Sequence, residues 1–228
     1  KGLLYIMKRF IKKHWRLMFG SYLLIYLPWF FLIEKYIDEN HPGVHILNNS
    51  IDNMIPFCKY FIIPYMLWFV YLAISCFFMG YKAANIEFIR FALSLIIGTS
   101  ICFIICMIYP NGLTLRPDNL PDDIFGKLIG IIYAGDTPTN VFPSIHVYSS
   151  IVVDIAIRKC SYLKEHKAVK AASFILCMLI CLSTVFIKQH SVADVAGAII
   201  LTAIMYIILY VVDYSRIFKK NREVEFDN

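Results

Sequence analysis

The amino-acid sequence predicts an all-α integral membrane protein, a bundle of six membrane-spanning helices. Hydrophobic residues make up 59% of the 228-residue chain and charged residues 17%, with a mean hydropathy of +0.65. Soluble domains are about 45–50% apolar and about 25% charged, so a water-soluble fold of this length could not bury so much apolar surface. The other two observations are six apolar segments and an uneven distribution of basic residues.

The six apolar segments define one predicted domain, residues 17–213. We place them at Leu17–Tyr36, Pro56–Met79, Phe88–Tyr109, Ser144–Arg158, Ala168–Ile187 and Ser191–Asp213. A spanning helix needs about 20 residues. The fourth segment is short, about 22 Å at 1.5 Å per residue, so it must begin below the membrane surface or continue past Arg158.

The two ends of the chain are basic. In residues 1–16, apolar residues recur at helical spacing opposite basic ones, which predicts an amphipathic interfacial helix. Residues 214–228 are predicted to form a basic cytoplasmic tail. The compact length without a targeting extension is typical of a bacterial plasma-membrane protein.

The basic residues also predict the topology. Of the 22 Lys and Arg residues, we count 17 in the two ends and the 80–90 and 158–170 turns. The positive-inside rule then places both termini in the cytoplasm and the 37–55 and 110–143 loops outside. The net charge of +6 lies beside apolar spans, which favours a lipid bilayer as partner and excludes nucleic acid.

The long 110–143 loop is predicted to contain a short helix. Apolar residues from Ile124 to Ile132 follow Asp122 and Asp123, and either carboxylate is a suitable N-cap. We expect this helix to lie on the outer membrane surface.

Three segments beside the predicted spans carry polar residues that an apolar helix does not need. They read Tyr109-Pro-Asn-Gly-Leu-Thr-Leu-Arg116-Pro117, Asn140-Val-Phe-Pro-Ser144-Ile-His146 and Lys188-Gln-His190-Ser-Val-Ala-Asp194. The predicted topology brings all three to the same membrane face, where we expect the functional site.

His190 and Asp194 lie four residues apart at a helix start and therefore share one face. A carboxylate that accepts the imidazole N–H leaves the other ring nitrogen bare as a nucleophile or base. The alternative is a structural His–Asp cap. A metal site would need a third ligand, and the sequence offers no convincing one.

Ser144 and His146 open the fourth predicted span, and Arg116 precedes it. Ser144 is a predicted N-cap, and a helix N-terminus binds anions through its free N–H groups. His146 in the first turn could protonate a leaving oxygen, and the Arg116 guanidinium matches phosphate oxygens. Each signal alone is more typical of a capped helix or a solvated charge.

Together the three segments resemble the type 2 phosphatidic acid phosphatase (PAP2) superfamily. That family carries a Lys-x6-Arg-Pro element, a Pro-Ser-x-His element and an Arg-x5-His-x3-Asp element. Here Arg116-Pro117 matches the end of the first element, Pro143-Ser144-Ile145-His146 matches the second, and His190 with Asp194 matches the third.

The resemblance implies a six-span fold and a role for each residue. His190 would attack phosphorus while Asp194 orients it. His146 would protonate the leaving alcohol and then activate the acceptor. Arg116 and Ser144 would hold phosphate oxygens of a membrane lipid phosphate, and neither a metal nor another cofactor is implied.

Two positions depart from the family pattern. Tyr109 stands where the family has Lys, and Thr184 stands where it has the third-element Arg. We expect both to donate neutral hydrogen bonds to phosphate, and we expect Lys188 or Lys127 to replace the missing cations.

The resemblance leaves three functions open. The leading one is a metal-independent lipid phosphate phosphatase that acts through a phosphohistidine at the extracytoplasmic face. The form of the third element, without its Arg, is similar to the branch of inositol phosphorylceramide and sphingomyelin-synthase-like transferases, which move a phospho-headgroup to a lipid alcohol. A non-catalytic lipid-binding relative is the third. Lipid identity and oligomeric state stay open.

Overall fold

The computed structural model describes residues 15–212. The predicted amphipathic helix (1–16) falls outside the described residues except for its last two positions, and the predicted tail (214–228) falls outside them entirely.

Helices dominate the described chain. They are α1 (Leu23–Tyr36), α2 (Ser50–Met54), α3 (Ile62–Lys82), α4 (Asn85–Ile108), α5 (Ile124–Gly135), α6 (Ile145–Lys159), α7 (Lys167–Phe186) and α8 (Val192–Tyr206). Short 3-10 turns lie at Lys59–Phe61 and Ser161–Leu163, and a π turn at Ile207–Val211 extends α8. Two short strands, β1 (His45–Ile46) and β2 (Asn111–Gly112), pair in parallel and join two loops.

Within residues 15–212, five helical stretches are long and apolar enough to cross a membrane. They are Trp15–Tyr36, Lys59–Lys82, Asn85–Ile108, Lys167–Phe186 and Val192–Val211. They coincide, to within a few residues, with five of the six predicted spans. The all-α class and the association with a lipid bilayer are therefore confirmed.

The predicted fourth span, Ser144–Arg158, forms the 15-residue helix α6, which is shorter than the five apolar stretches of 20 to 24 residues. It packs against α3, α4, α7 and α8 at the centre of the bundle. Because its neighbours supply hydrogen-bond partners, α6 buries polar side chains such as Ser149 and Asp154. The Trp68 indole N–H, for example, donates to Ser149 Oγ at 2.9 Å.

Close contact between α4 and α6 depends on Gly98. The Tyr148 side chain is fully buried, and its hydroxyl donates to the Ser94 carbonyl at 2.6 Å. A Cβ at Gly98 would lie 1.9 Å from that hydroxyl oxygen. The absence of a side chain at Gly98 therefore leaves room for the Tyr148 ring between α4 and α6.

Helix α5 confirms the predicted short helix of the 110–143 loop. Asp123 is its N-cap and accepts a hydrogen bond from the Gly126 N–H at 3.0 Å. The Lys59 ammonium also donates to the Asp123 carboxylate, which ties α5 to the start of α3. Apolar side chains of α5, such as Ile129, pack against the same end of α3 and place α5 beside the loops of the candidate site.

Candidate active site

The segment before α6 is held directly against α8. The Ser144 N–H donates to the Asp194 carbonyl at 3.3 Å. The Phe142 ring lies so close to α8 that a Cβ at Gly197 would meet it at 2.5 Å. Buried Asn111 fixes the same segment, because its side-chain oxygen accepts the backbone N–H groups of Val141 and Phe142, each at 2.9 Å. Two predicted polar segments thus meet through their backbones.

His190 and Asp194 form the predicted pair. Asp194 Oδ2 lies 3.3 Å from His190 Nδ1 and also accepts the Ser191 N–H at 2.8 Å. The Asp194 side chain is fully buried, and its Oδ1 has no hydrogen-bond partner within the described part of the chain. Because the carboxylate faces Nδ1, the hydrogen-bond network assigns the proton to Nδ1 and leaves Nε2 with a free lone pair.

His146 faces that lone pair. His146 Nδ1 lies 3.4 Å from His190 Nε2, and the ring centroids are 5.6 Å apart. Two aromatic rings of α3 enclose His146, with centroids 4.6 Å away for Tyr65 and 4.3 Å away for Trp68. The two imidazoles, 44 residues apart in sequence, therefore share one cluster at the starts of α6 and α8.

Ser144 is the N-cap of α6, as predicted. Its side-chain oxygen accepts the Val147 N–H at 3.3 Å, and the residue is fully buried. This cap orients the first turn of α6, which carries His146. Its Oγ is engaged with its own helix in this state.

Arg116 reaches the turn that carries His190. Its Nη2 donates to Gln189 Oε1 and to the Asp136 carbonyl, both at 2.5 Å, and its Nη1 donates to the Tyr133 carbonyl at 3.2 Å. The guanidinium also lies over the Tyr133 ring, 4.1 Å from its centroid. Burial lowers the pKa of Arg116 and Asp136 opposes that shift, but an arginine stays charged in either case.

Gln189, Asp136 and Tyr65 connect Arg116 to His146. Gln189 Nε2 donates to Asp136 Oδ2 at 2.9 Å, and the Tyr65 hydroxyl donates to the same oxygen at 3.0 Å. The Tyr65 ring in turn packs against His146. One continuous set of contacts therefore runs from the guanidinium to the second imidazole. Arg116 Nε is buried and unpartnered among residues 15–212, so the cluster has an unused donor.

Two predicted phosphate-binding residues contact other groups, and a third is exposed. The Tyr109 ring is 41% exposed and stacks on His45 at 4.4 Å between centroids. The Thr184 hydroxyl donates to the Cys181 carbonyl at 2.8 Å. The Thr184 backbone carbonyl, and not its side chain, accepts the N–H groups of Gln189 and His190. Lys127 is exposed on α5. None of these contacts brings a cation or hydroxyl to His190.

Lys188 is buried but turned to the other side of the turn. Its Nζ donates to the Asp52 carbonyl at 2.7 Å and to the Ile55 carbonyl at 2.5 Å. Burial lowers the pKa of the Lys188 ammonium, and the nearby Asp52 carboxylate opposes the shift. Its predicted role as a phosphate ligand stays a prediction, and the contacts that the structure gives it are backbone carbonyls.

Several residues of the cluster were not predicted from the sequence. Tyr65 and Trp68 gave no signal, because aromatic residues are common in apolar spans. Gln189 lies within the third polar segment and Asp136 lies four residues before the second, so their positions could have identified them. Asp52 lies in the short helix α2, within the predicted 37–55 loop, where the sequence carries no motif.

Comparisons with protein-family models, with curated proteins and with solved structures find no match to this chain. Within the described residues, no group of three or more His, Cys, Asp or Glu side chains is arranged to hold a metal ion.

Proposed function

We propose that the chain is a lipid phosphate phosphatase of the PAP2 type, which transfers phosphoryl groups through a phosphohistidine at the extracytoplasmic membrane face. The observation that carries this proposal is the pair of imidazoles, with His146 Nδ1 3.4 Å from His190 Nε2 and Asp194 behind His190. A nucleophile, a group that orients it and a proton donor are the minimum set for such a transfer.

In the first step His190 Nε2 attacks phosphorus. An N–P bond forms while the bond from phosphorus to the lipid oxygen breaks. His146 enters this step as the doubly protonated imidazolium and passes its Nδ1 proton to the leaving oxygen, which leaves a neutral ring. Asp194 Oδ2 holds the Nδ1 proton of His190 and stabilises the positive charge on that ring. A tetrahedral phosphate does not fit between nitrogens 3.4 Å apart, so the two rings must separate when substrate enters.

In the second step water replaces the lipid. His146 Nδ1, now without its proton, accepts a proton from water as the oxygen attacks phosphorus. The N–P bond breaks, free phosphate leaves, and both histidines return to their starting protonation.

Arg116 is the proposed phosphate ligand. Its Nη2 already donates to the neutral side-chain oxygen of Gln189, the residue before His190. The hydrogen bond to Gln189 is charged only at its donor, whereas a phosphate oxygen is itself ionised and adds Coulomb attraction to the hydrogen bond. Substrate therefore displaces Gln189 from the guanidinium and gains the free Nε–H as a second donor.

The test is to trap the covalent intermediate. Purified protein in lipid vesicles is mixed with phosphatidate labelled with ³²P in its phosphate and quenched in base, where phosphohistidine is stable. We expect label on His190 and release of free phosphate. His190→Ala should carry no label, and His166→Ala, an exposed histidine in the turn before α7, is the matched control. Lipid binding without label or phosphate release would favour the non-catalytic relative.

A second candidate, transfer of a phospho-headgroup to a lipid alcohol, is favoured by the charges around Arg116. The Asp136 carboxylate lies in the same cluster, and the Lys188 ammonium is bound to carbonyls on the far side of the turn. Fewer positive charges suit a phosphodiester, which carries one negative charge, better than a dianionic monoester. A labelled phospholipid diester is supplied with and without a lipid alcohol. A transferase should give a new labelled diester only when the alcohol is present, and no free phosphate.

The proposed topology is tested separately. A cysteine at Thr114, in the loop between β2 and α5, should react with a membrane-impermeant maleimide in intact cells, above the wild-type background. A cysteine introduced at Ser161, in the turn between α6 and α7, should react only after the membrane is permeabilised. The reverse pattern would place the site on the cytoplasmic face.

A further inference from the structure

We propose that Asp52 is a positioning residue, through which the segment 49–55 holds the turn that carries His190. The inference deepens the proposed function and rests on it for its kinetic consequence. The sequence contains no motif around Asp52, so the assignment comes from its contacts.

The Asp52 carboxylate is bound at both oxygens. Oδ1 accepts the Val192 N–H at 2.8 Å, at the first residue of α8. Oδ2 accepts the Asn49 N–H at 3.0 Å, and Asn49 Oδ1 accepts the Asp52 N–H in return at 3.2 Å. The side chain is 2% exposed. A carboxylate at a helix N-terminus is further stabilised by the helix dipole.

Lys188 makes a second connection between the same two segments. Its ammonium donates to the Asp52 and Ile55 carbonyls, and its backbone has φ of 59°. A left-handed lysine is uncommon and costs free energy unless its surroundings hold it there. The two carbonyl contacts supply that support, and burial of Lys188 to 8% exposure protects them from water.

The two connections stand on either side of His190. Lys188 is two residues before it and Val192 two residues after it. From the opposite side, the Thr184 carbonyl accepts the His190 N–H at 3.0 Å. The backbone of His190 is thus fixed on both sides, and its ring is directed at Asp194 and His146.

This arrangement predicts a kinetic signature that differs from that of a phosphate ligand. Loss of Asp52 shifts the nucleophile, and a displacement of about 1 Å can cost about 100-fold in rate. Arg116 is not held by Asp52, so substrate binding is spared. We expect Asp52→Ala to lower kcat by about 10- to 100-fold with little change in KM. Asp52→Asn, which keeps an oxygen for the Val192 N–H, should recover part of that loss.

Lys188→Met separates the two roles of the lysine. The variant keeps an unbranched side chain and removes the donors. A positioning lysine lowers kcat with KM unchanged, in parallel with Asp52→Ala. A phosphate-binding lysine instead raises KM, and that result would overturn its part in the proposal. Asp118→Ala, at an exposed aspartate of the 113–123 loop, is the matched control and should behave as wild type.

An activity-independent measurement makes the proposal testable even if no substrate is turned over. Diethyl pyrocarbonate modifies accessible imidazoles, and mass spectrometry reads the rate at His190, which is 7% exposed. Asp52→Ala should speed modification of His190, while Asp118→Ala should leave it unchanged. Unchanged reactivity at His190 in folded Asp52→Ala overturns the positioning role. Faster modification in a protein that turns over no lipid phosphate supports positioning and counts against the proposed function.

Discussion

Two buried carboxylates, Asp154 on α6 and Asp194 on the adjacent α8, differ in their hydrogen-bond partners. Asp154, 7% exposed, has a partner at each oxygen: Arg158 Nε at 2.6 Å and Ser173 Oγ at 2.7 Å. Asp194, fully buried, shares Oδ2 between His190 and its own capping contact and has an Oδ1 without a partner in the described chain. Arg158 lies one turn from Asp154, as its spacing predicts.

Under the proposed function, Asp154 belongs to a structural cluster and Asp194 to the reacting one. A buried polar group without a partner costs about 1–3 kcal/mol. The Asp154 cluster avoids that cost, since the Tyr71 hydroxyl also bonds to Ser173 at 2.8 Å. In the Asp194 cluster, Asp194 Oδ1 and the nearby Arg116 Nε have no hydrogen-bond partner among residues 15–212, so both carry that cost. Such unused groups are expected where a ligand completes the set.

The largest effect should come from His190. We expect His190→Ala to lower kcat by at least about 10⁴-fold, because removal of a nucleophile leaves only binding and electrostatic contributions. Steady-state phosphate release, compared with the thermal unfolding temperature of the same variant, is the measurement. Residual turnover close to wild type would show that the nucleophile lies elsewhere.

The variants Asp194→Asn and Asp154→Asn directly test whether the two carboxylates differ in role. Asp194→Asn should reduce kcat by on the order of 10²- to 10⁴-fold, because His190 loses the acceptor that fixes its tautomer. Asp154→Asn should instead lower stability by about 1–3 kcal/mol and keep kcat near wild type. Thermal unfolding and initial rates on both variants decide the matter. If Asp154→Asn lost as much kcat as Asp194→Asn, the two clusters would not differ in role.

Arg116→Ala removes the proposed phosphate ligand. The loss of a charge-assisted contact worth about 1.5–3 kcal/mol predicts a fall in kcat/KM of roughly 10- to 150-fold. Substrate titrations on wild type and variant give the value. Lys35→Ala, an exposed cation at the end of α1, serves as the charge-matched control, and an equal loss there would point to a general surface-charge effect.

Tyr71→Phe should have the smallest effect and sharpen the structural side of the comparison. It removes the hydroxyl that bonds to Ser173 beside Asp154. We expect a loss of about 0.5–1.5 kcal/mol of stability and unchanged kinetic constants. A clear drop in kcat without loss of stability would connect the Asp154 cluster to the reaction.

Local patterns predicted most of the helices and part of the site. The apolar segments marked five spanning helices because a helix in lipid must be apolar along its length. The His190–Asp194 contact, the Ser144 cap and the Asp123 cap follow from spacings of three or four residues, which the helix itself fixes. These relations needed no knowledge of neighbouring elements.

The amino-acid sequence by itself determined the apolar helices, their caps and the residue types that can carry phosphoryl transfer, because those depend on periodicity and short spacings. The tertiary structure decided which of them meet: it placed His146 against His190, turned Lys188 toward Asp52 and left Tyr109 beside His45. Such contacts join residues 44 to 136 positions apart. They are set by how helices pack in three dimensions, which no local pattern encodes.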